Sequence, residues 1–285
     1  MKTAPVHYSL AHRLGSWFLS ASSWLVLLFL ILPILVIVPL SFNNEPFFSF
    51  TKGMLTLQPE AYSLRWYRGV FEDPAWLLSI KNSFFVGICA TLIATTLGTC
   101  AAVGLARAEM PARRLITALL LSPMIVPLII TAAGMFFFYA DIGLSGNFLG
   151  VIVAHAVLGT PFVIITVTAT LSSFDYSLAR AALSLGARPL RVFFDVILPL
   201  IRPGVISGAL FAFITSFDEV VVILFMAGPE QRTIPRQMFA GLREQINPSI
   251  LSVATLLILF SIALLVTLEL LRRRAERLRG IELPD

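Results

Sequence analysis

Charge is what this 285-residue sequence has least of. Lys, Arg, Asp and Glu make up 13% of it, about half the quarter that a soluble domain carries. A surface so poor in charge could not be wetted as a soluble globule. Disorder is excluded as well, because a disordered chain needs low hydrophobicity and high charge. Cysteine is nearly absent. Cys89 and Cys100 fall in one apolar run, ~16 Å apart along a helix and beyond disulfide reach, so both read as small packing residues. Histidine occurs three times, at His7, His12 and His155, too scattered in sequence for a metal cluster. The sequence contains no G-x-x-x-x-G-K-[ST] run, so it does not bind ATP through a P-loop. It also lacks H-E-x-x-H, C-x-x-C and G-x-S-x-G, the common signatures of metalloprotease, thiol-redox and α/β-hydrolase chemistry.

What is abundant is apolar length. Hydrophobic residues are 58% of the chain and the mean hydropathy is +0.89. Six apolar segments stand out, at about 22–42, 83–105, 116–138, 149–171, 204–226 and 250–271. Each meets the ~20-residue length of a membrane-spanning helix and holds few charges. The expected fold is therefore all-α: one polytopic transmembrane domain over residues 1–285 with six spanning helices. Pro123 and Pro127 lie inside the third segment, where neighbouring helices and water can satisfy the freed carbonyls; they predict a kink or a local unwinding. The first run, Trp24 to Leu40, contains Pro33 and Pro39 and is not followed by an A-x-A-like cleavage site. It reads as a retained span rather than a removed signal.

The net charge of +5 points to basic inner loops rather than to nucleic-acid binding, because Lys and Arg concentrate on the cytoplasmic side. With both termini inside, fourteen of the 21 basic residues fall in inner regions, among them Lys2, Arg107, Arg113, Arg180 and Arg279, and seven in outer loops. This two-to-one bias sets the expected orientation. The run Arg272-Arg273-Arg274 reads as an anchor on anionic lipid at the inner surface of the bilayer.

Few ionisable groups fall within the spans. Asp218 and Glu219 sit in the fifth segment, and His155 in the fourth. An acid there costs a few kcal/mol unless it faces water or a partner. Two readings of the acids stay open: they line a solute pathway and attract a cation, or they form a structural pair that caps a broken helix or meets a neighbouring subunit. His155 is either a ligand or proton-relay group or a satisfied packing residue. A membrane-embedded enzyme using the two acids for acid-base work is disfavoured, since adjacent helical positions diverge by ~100° and acid-base chemistry needs them to converge. A secondary transporter would need its own ion site and often shows paired repeats, neither of which the sequence displays.

The region 172–203 between segments four and five is unusually long for an unstructured loop. Leu178, Ala181, Ala182 and Leu185 recur at spacings of three and four, which predicts a short helix with one small apolar face. Asp175 is placed to cap it, Gly186 to stop it, and Pro189 to begin a second helix that runs through Val192, Phe193 and Val196 to Pro199. A face of small side chains fits a groove on another protein better than a lipid surface, which favours bulky residues.

Here the sequence resembles a family. Arg180-Ala181-Ala182-x-x-x-Gly186, followed after nine residues by Val196-Ile197-Leu198-Pro199, resembles the E-A-A-x-x-x-G-x9-I-x-L-P loop of permease subunits of binding-protein-dependent ABC importers. Arg180 stands in place of the signature Glu, reversing its charge, and Val196 in place of Ile. Ser63-Leu64-Arg65-Trp66-Tyr67, Asn82-Ser83-Phe84, Ser216 to Val222, Gly228-Pro229, Arg232-Thr233-Ile234-Pro235 and Ile246-Asn247-Pro248 are similar to the spermidine/putrescine branch. Branches that import other amines, aminophosphonates, opines or amino-acid-like solutes share much of this pattern.

The resemblance implies a type I permease fold in a bacterial inner membrane. It implies a coupling helix that docks on an ATP-binding subunit through Arg180, Ala181, Ala182, Gly186, Leu198 and Pro199. It implies a solute pathway, for which Asp218, Glu219 and His155 are the candidates. The expected partners are ATP-binding subunits, a second homologous permease in a heterodimer, a periplasmic or extracellular solute-binding protein and the lipid bilayer. No cofactor or enzymatic site of its own is expected, with ATP bound by partner subunits. Asp141 and the outer-loop residues Glu230, Arg232, Arg236, Arg243 and Glu244 are either contacts for the binding protein or ordinary loop charges.

Overall fold

The structure, a computed structural model, describes residues 10–106, 110–172, 174–244 and 248–278. Lys2, His7, Arg107, Arg279 and the Ile246-Asn247 pair lie outside the described residues. The helices are α1 (Leu10–Leu40), α2 (Lys52–Leu55), α3 (Arg65–Glu72), α4 (Pro74–Leu105), α5 (Arg113–Ile125), α6 (Leu128–Asp141) and α7 (Phe148–Leu171). They continue as α8 (Tyr176–Ser184), α9 (Pro189–Val192), α10 (Leu198–Phe217), α11 (Val221–Met226), α12 (Ile234–Glu244) and α13 (Ser249–Leu278). Five helices are long and apolar enough to cross a membrane, and the bent pair α5 and α6 supplies the sixth span expected from the sequence.

The chain divides into two compact units, one of Met1–Glu72 with Gln245–Leu271 and one of Asp73–Glu244 with Arg272–Asp285. In the first unit, α1 leaves almost its whole apolar surface exposed, as expected of a helix that meets lipid rather than water. Beyond α1 the chain forms a small lobe around Asn43. This fully buried side chain donates from Nδ2 to the carbonyls of Phe47 and Ser49 and accepts the Glu45 N–H at Oδ1, all at 3.0 Å, while the Asn43 backbone carbonyl accepts the Trp66 indole N–H at 2.8 Å. A buried amide is tolerated because its bonds are made. The Tyr67 hydroxyl meets Ser41 Oγ at 2.6 Å and fixes α3 to the end of α1.

The second unit is built on α4, α7 and α10, which pack on one another. Their backbones approach closely because glycines face the contact, the usual solution where helices associate without a hydrophobic drive. Val163 of α7 is fully buried between Gly98 of α4 and Gly208 of α10. A Cβ at Gly98 would lie 2.7 Å from the Val163 Cβ, and one at Gly208 would lie 2.8 Å from the Val163 Cα.

Two helices of this unit are interrupted. Val126, just before Pro127, is extended (φ −70°, ψ 136°), the conformation that a following proline ring imposes. The chain turns by 104° there between α5 and α6, so the kink expected from Pro123 and Pro127 is a full break at the second proline. The fifth span differs from its expected bounds of 204–226. It begins earlier, because the helix from Pro189 does not stop at Pro199 but runs on into α10 through one wide turn, Phe193–Ile197, in which the Leu198 N–H bonds the Phe193 carbonyl. Pro199 has no N–H to give and its ring crowds the carbonyl four residues back; the wide turn relieves that crowding without ending the helix. The span also ends earlier, at Phe217, and α11 follows as a separate short helix.

Candidate functional site

The break between α10 and α11 follows from its residues. Asp218 closes α10, its N–H bonding the Ile214 carbonyl at 3.0 Å. Glu219 then turns its carboxylate onto the next helix, where Oε1 accepts the Val222 N–H at 2.9 Å. Acidic side chains favour helix N-termini in this way, and α11 begins two residues on, at Val221. The two acids therefore separate in role. Glu219 is buried and committed to capping α11, while Asp218 is exposed. Among the described residues the Asp218 carboxylate has no hydrogen-bond partner.

Asp218 lines a cavity of about 360 Å³ together with Leu128, Ile214, Thr215 and residues 219–221. Leu128 is the first residue of α6, just past the proline break, and α11 packs on α6. Both interrupted helices thus meet at this cavity. The last carbonyls of α10 point along the helix axis toward its Asp218 end, the negative pole of the helix dipole. Carboxylate and helix end together favour a cation.

His155 of α7 is 1% exposed and is not among the lining residues. Its Nδ1 meets Ser216 Oγ at 2.8 Å, two residues before Asp218, and its Nε2 has no partner among the described residues.

A second constellation lies at 174–203. Asp175 caps α8, accepting from the Ser177 N–H at 2.8 Å and the Ser177 hydroxyl at 2.6 Å. The hydroxyl first, and then the backbone bond, hold the Asp175 carboxyl below the usual carboxylate range. The cap is thus complete at neutral pH and lost as pH falls through that lowered value. At the other end Gly186 adopts φ +85°. Its N–H bonds the Leu183 carbonyl at 2.9 Å, and the Ala187 N–H bonds that of Ala182 at 3.1 Å, the paired bonds of a Schellman stop. Arg180, Ala181 and Leu185 are exposed, Ala182 is half-buried, and the buried contact residues are Ala179 of α8 and Val192 of α9. Leu198 and Pro199 sit in the first turn of α10, half-buried and exposed respectively.

The segment 227–244 contains a lock that sequence reasoning missed. Asn82 of α4 donates to the carbonyls of Glu230 at 2.7 Å and Arg232 at 2.9 Å, and the neighbouring Ser83 Oγ accepts the Ile234 N–H at 2.8 Å. Arg236 donates to the carbonyls of Ala227 and Gly228, and Arg232 to Gln237 Oε1. The signal was present as a buried polar pair, Asn-Ser, at the head of an apolar run, but its partners are about 150 residues away. Asn82→Leu is expected to leave two loop carbonyls unpaired, at about 1–3 kcal/mol each if they stay dry. Limited proteolysis in detergent should then cut 227–244 faster than in the parent.

Residues 94–277, which include the helix break, the cavity acids and α8, match the family described as binding-protein-dependent transport system inner membrane component. The chain belongs to this family. Among this permease's relatives is the spermidine/putrescine transport system permease protein PotC of Haemophilus influenzae, 29% identical over 255 residues, 90% of this chain and 96% of the relative. The putrescine transport system permease protein PotI of Escherichia coli is 32% identical over 237 residues, 81% of this chain and 82% of the relative. The trehalose transport system permease protein SugB of Mycobacterium tuberculosis is 31% identical over 200 residues, 70% of this chain and 72% of the relative. In fold the permease is similar to a chain of a bacterial ABC transporter involved in the import of the acidic polysaccharide alginate, with a TM-score of 0.72 at 18% identity, covering 93% of this chain and 99% of that one.

Proposed function

We propose that this permease forms part of a translocation path for small organic cations of the polyamine class, spermidine or putrescine. Relatives named for both polyamines match most of its length. A relative named for trehalose matches at similar identity, so kinship leaves a neutral sugar in play and the chemistry of the site has to decide. The observation that carries the cationic reading is the exposed Asp218 carboxylate on the cavity, at the negative end of α10. An ammonium group gains a charge-assisted hydrogen bond there. A sugar hydroxyl makes only a neutral donor's weaker bond and leaves the carboxylate without a counter-charge.

In this reading Glu219 keeps the helix broken, and His155 is a positioning residue that holds α7 to α10 through Ser216. Both termini lie in the cytoplasm. A second, homologous permease completes the path as a heterodimer, and a periplasmic or extracellular binding protein delivers the solute. ATP is bound and hydrolysed by two partner subunits, to which this chain couples through α8 by way of Arg180, Ala181, Ala182 and Gly186. Leu198 and Pro199 carry the movement into α10. Uptake by the complete importer in proteoliposomes is the test. Excess putrescine or spermidine is expected to suppress uptake of labelled polyamine and equal trehalose to leave it unchanged. Labelled trehalose taken up in place of polyamine overturns the reading.

A further inference from the structure

The surface around α8 has a polarity of its own. Leu178 is 48% exposed and Leu185 89%, apolar side chains on the segment between the spans Phe148–Leu171 and Pro189–Phe217, where the bare chain would meet water. Patches of this kind mark a protein contact. Two acids occur in 174–203, and both are already engaged. Asp175 accepts two bonds from Ser177, and Asp195 pairs with Arg191 at 3.1 Å. The same segment carries the exposed Arg180 and Arg188; the charge of Arg180 is felt by the Asp175 carboxyl, but among the described residues neither arginine makes a salt bridge. The signature that this loop resembles carries Glu where Arg180 stands, so the docking face presents a cation where an anion is the rule.

We propose that the groove receiving α8 on this importer's ATP-binding subunit is apolar at its floor and carries an Asp or Glu facing Arg180. The inference rests on the docking of α8 proposed above and adds the chemistry of the partner. Its consequence is exclusivity. An ATP-binding subunit whose groove offers a cation, matched to a signature Glu, meets Arg180 as a like charge at a desolvated contact, and such repulsion is an effective means of rejecting wrong partners.

The experiment uses the complete importer in detergent and measures retention of the ATP-binding subunit and ATPase stimulation by loaded binding protein. Arg180→Glu is expected to lower retention about tenfold or more, Arg180→Lys to preserve it, and a Glu→Lys or Asp→Lys change in the partner's groove to restore the Arg180→Glu variant. Retention by the parent is expected to fall as salt is raised, because exposed charges are screened, and to do so less in Arg180→Glu. Normal retention and stimulation in Arg180→Glu overturn the proposal. So does a loss that appears only when anionic lipid is supplied, which assigns the face to the membrane. Gly186→Leu separates this inference from the docking it rests on. The left-handed backbone at Gly186 (φ +85°) disfavours any side chain, so this variant should disrupt α8 docking whatever the charge. If Gly186→Leu retains the ATP-binding subunit fully, docking through α8 itself is wrong. If it loses the subunit while Arg180→Glu does not, only the charge assignment is wrong.

Discussion

Asp218→Asn is expected to cut polyamine uptake by about tenfold to a hundredfold while leaving the importer assembled. A hydrogen bond to a charged group contributes about 1.5–3 kcal/mol, and each 1.4 kcal/mol is a factor of ten. The amide keeps the size and shape of the carboxylate and removes the charge, so a defect confined to transport would report the ionic contact. The neighbouring acid gives the contrast. In Glu219→Gln the amide oxygen can still accept the Val222 N–H now bonded at 2.9 Å, so uptake should fall less than about threefold, well short of a 1.4 kcal/mol effect. Glu219→Leu removes the cap and should lower the stability of the complex by about 0.5–2 kcal/mol, read as a lower melting temperature in detergent. Equal uptake defects in Asp218→Asn and Glu219→Gln would refute the division of roles.

The second large effect is expected at Gly208. A leucine there has to enter a space where even its Cβ would lie 2.8 Å from the backbone of Val163, and neither α7 nor α10 can yield without separating. Overpacking costs about 1–3 kcal/mol where side chains alone must move, and here the obstacle is main chain, so the cost should reach at least the top of that range. Gly208→Leu is expected to fail to give a monodisperse complex or to melt far below the parent. Gly104→Leu is the control, because a Cβ at Gly104 meets nothing within 4 Å, and it should melt as the parent does. If the two variants behave alike, the tight α7–α10 approach is not what holds this unit together.

Much of this architecture was legible in residue order, because its causes are local. Asp175, Gly186 and Pro189 act within one helical turn, and each does in the structure what its side chain or backbone predicts. The Pro127 break is local too. Span five was misplaced at both ends for a related reason. Pro199 reads as a stop in isolation, and only the wide turn before it shows how the helix carries on. At the other end the apolar run carries on past Asp218 and Glu219, and the helix terminus there, one of the readings left open for the pair, depends on Glu219 turning back to cap Val222. The separation of Asp218 from Glu219 could be foreseen only as divergent directions, since which of them faces a cavity depends on α6. The Asn82 lock joins residues about 150 positions apart, and no periodicity reports such a contact.

The wide turn at Phe193–Ile197 has a mechanical meaning. Because it joins α9 to α10 without a loop, residues Pro189–Phe217 form one continuous rod of 29 residues, about 43 Å long at 1.5 Å per residue. Its first turn adjoins the α8 patch and its last residue adjoins Asp218. A loop between those points would absorb a push as slack; a rod passes it on as translation or twist. The acid at the cavity and the face proposed to meet an ATP-binding subunit thus adjoin two ends of one lever.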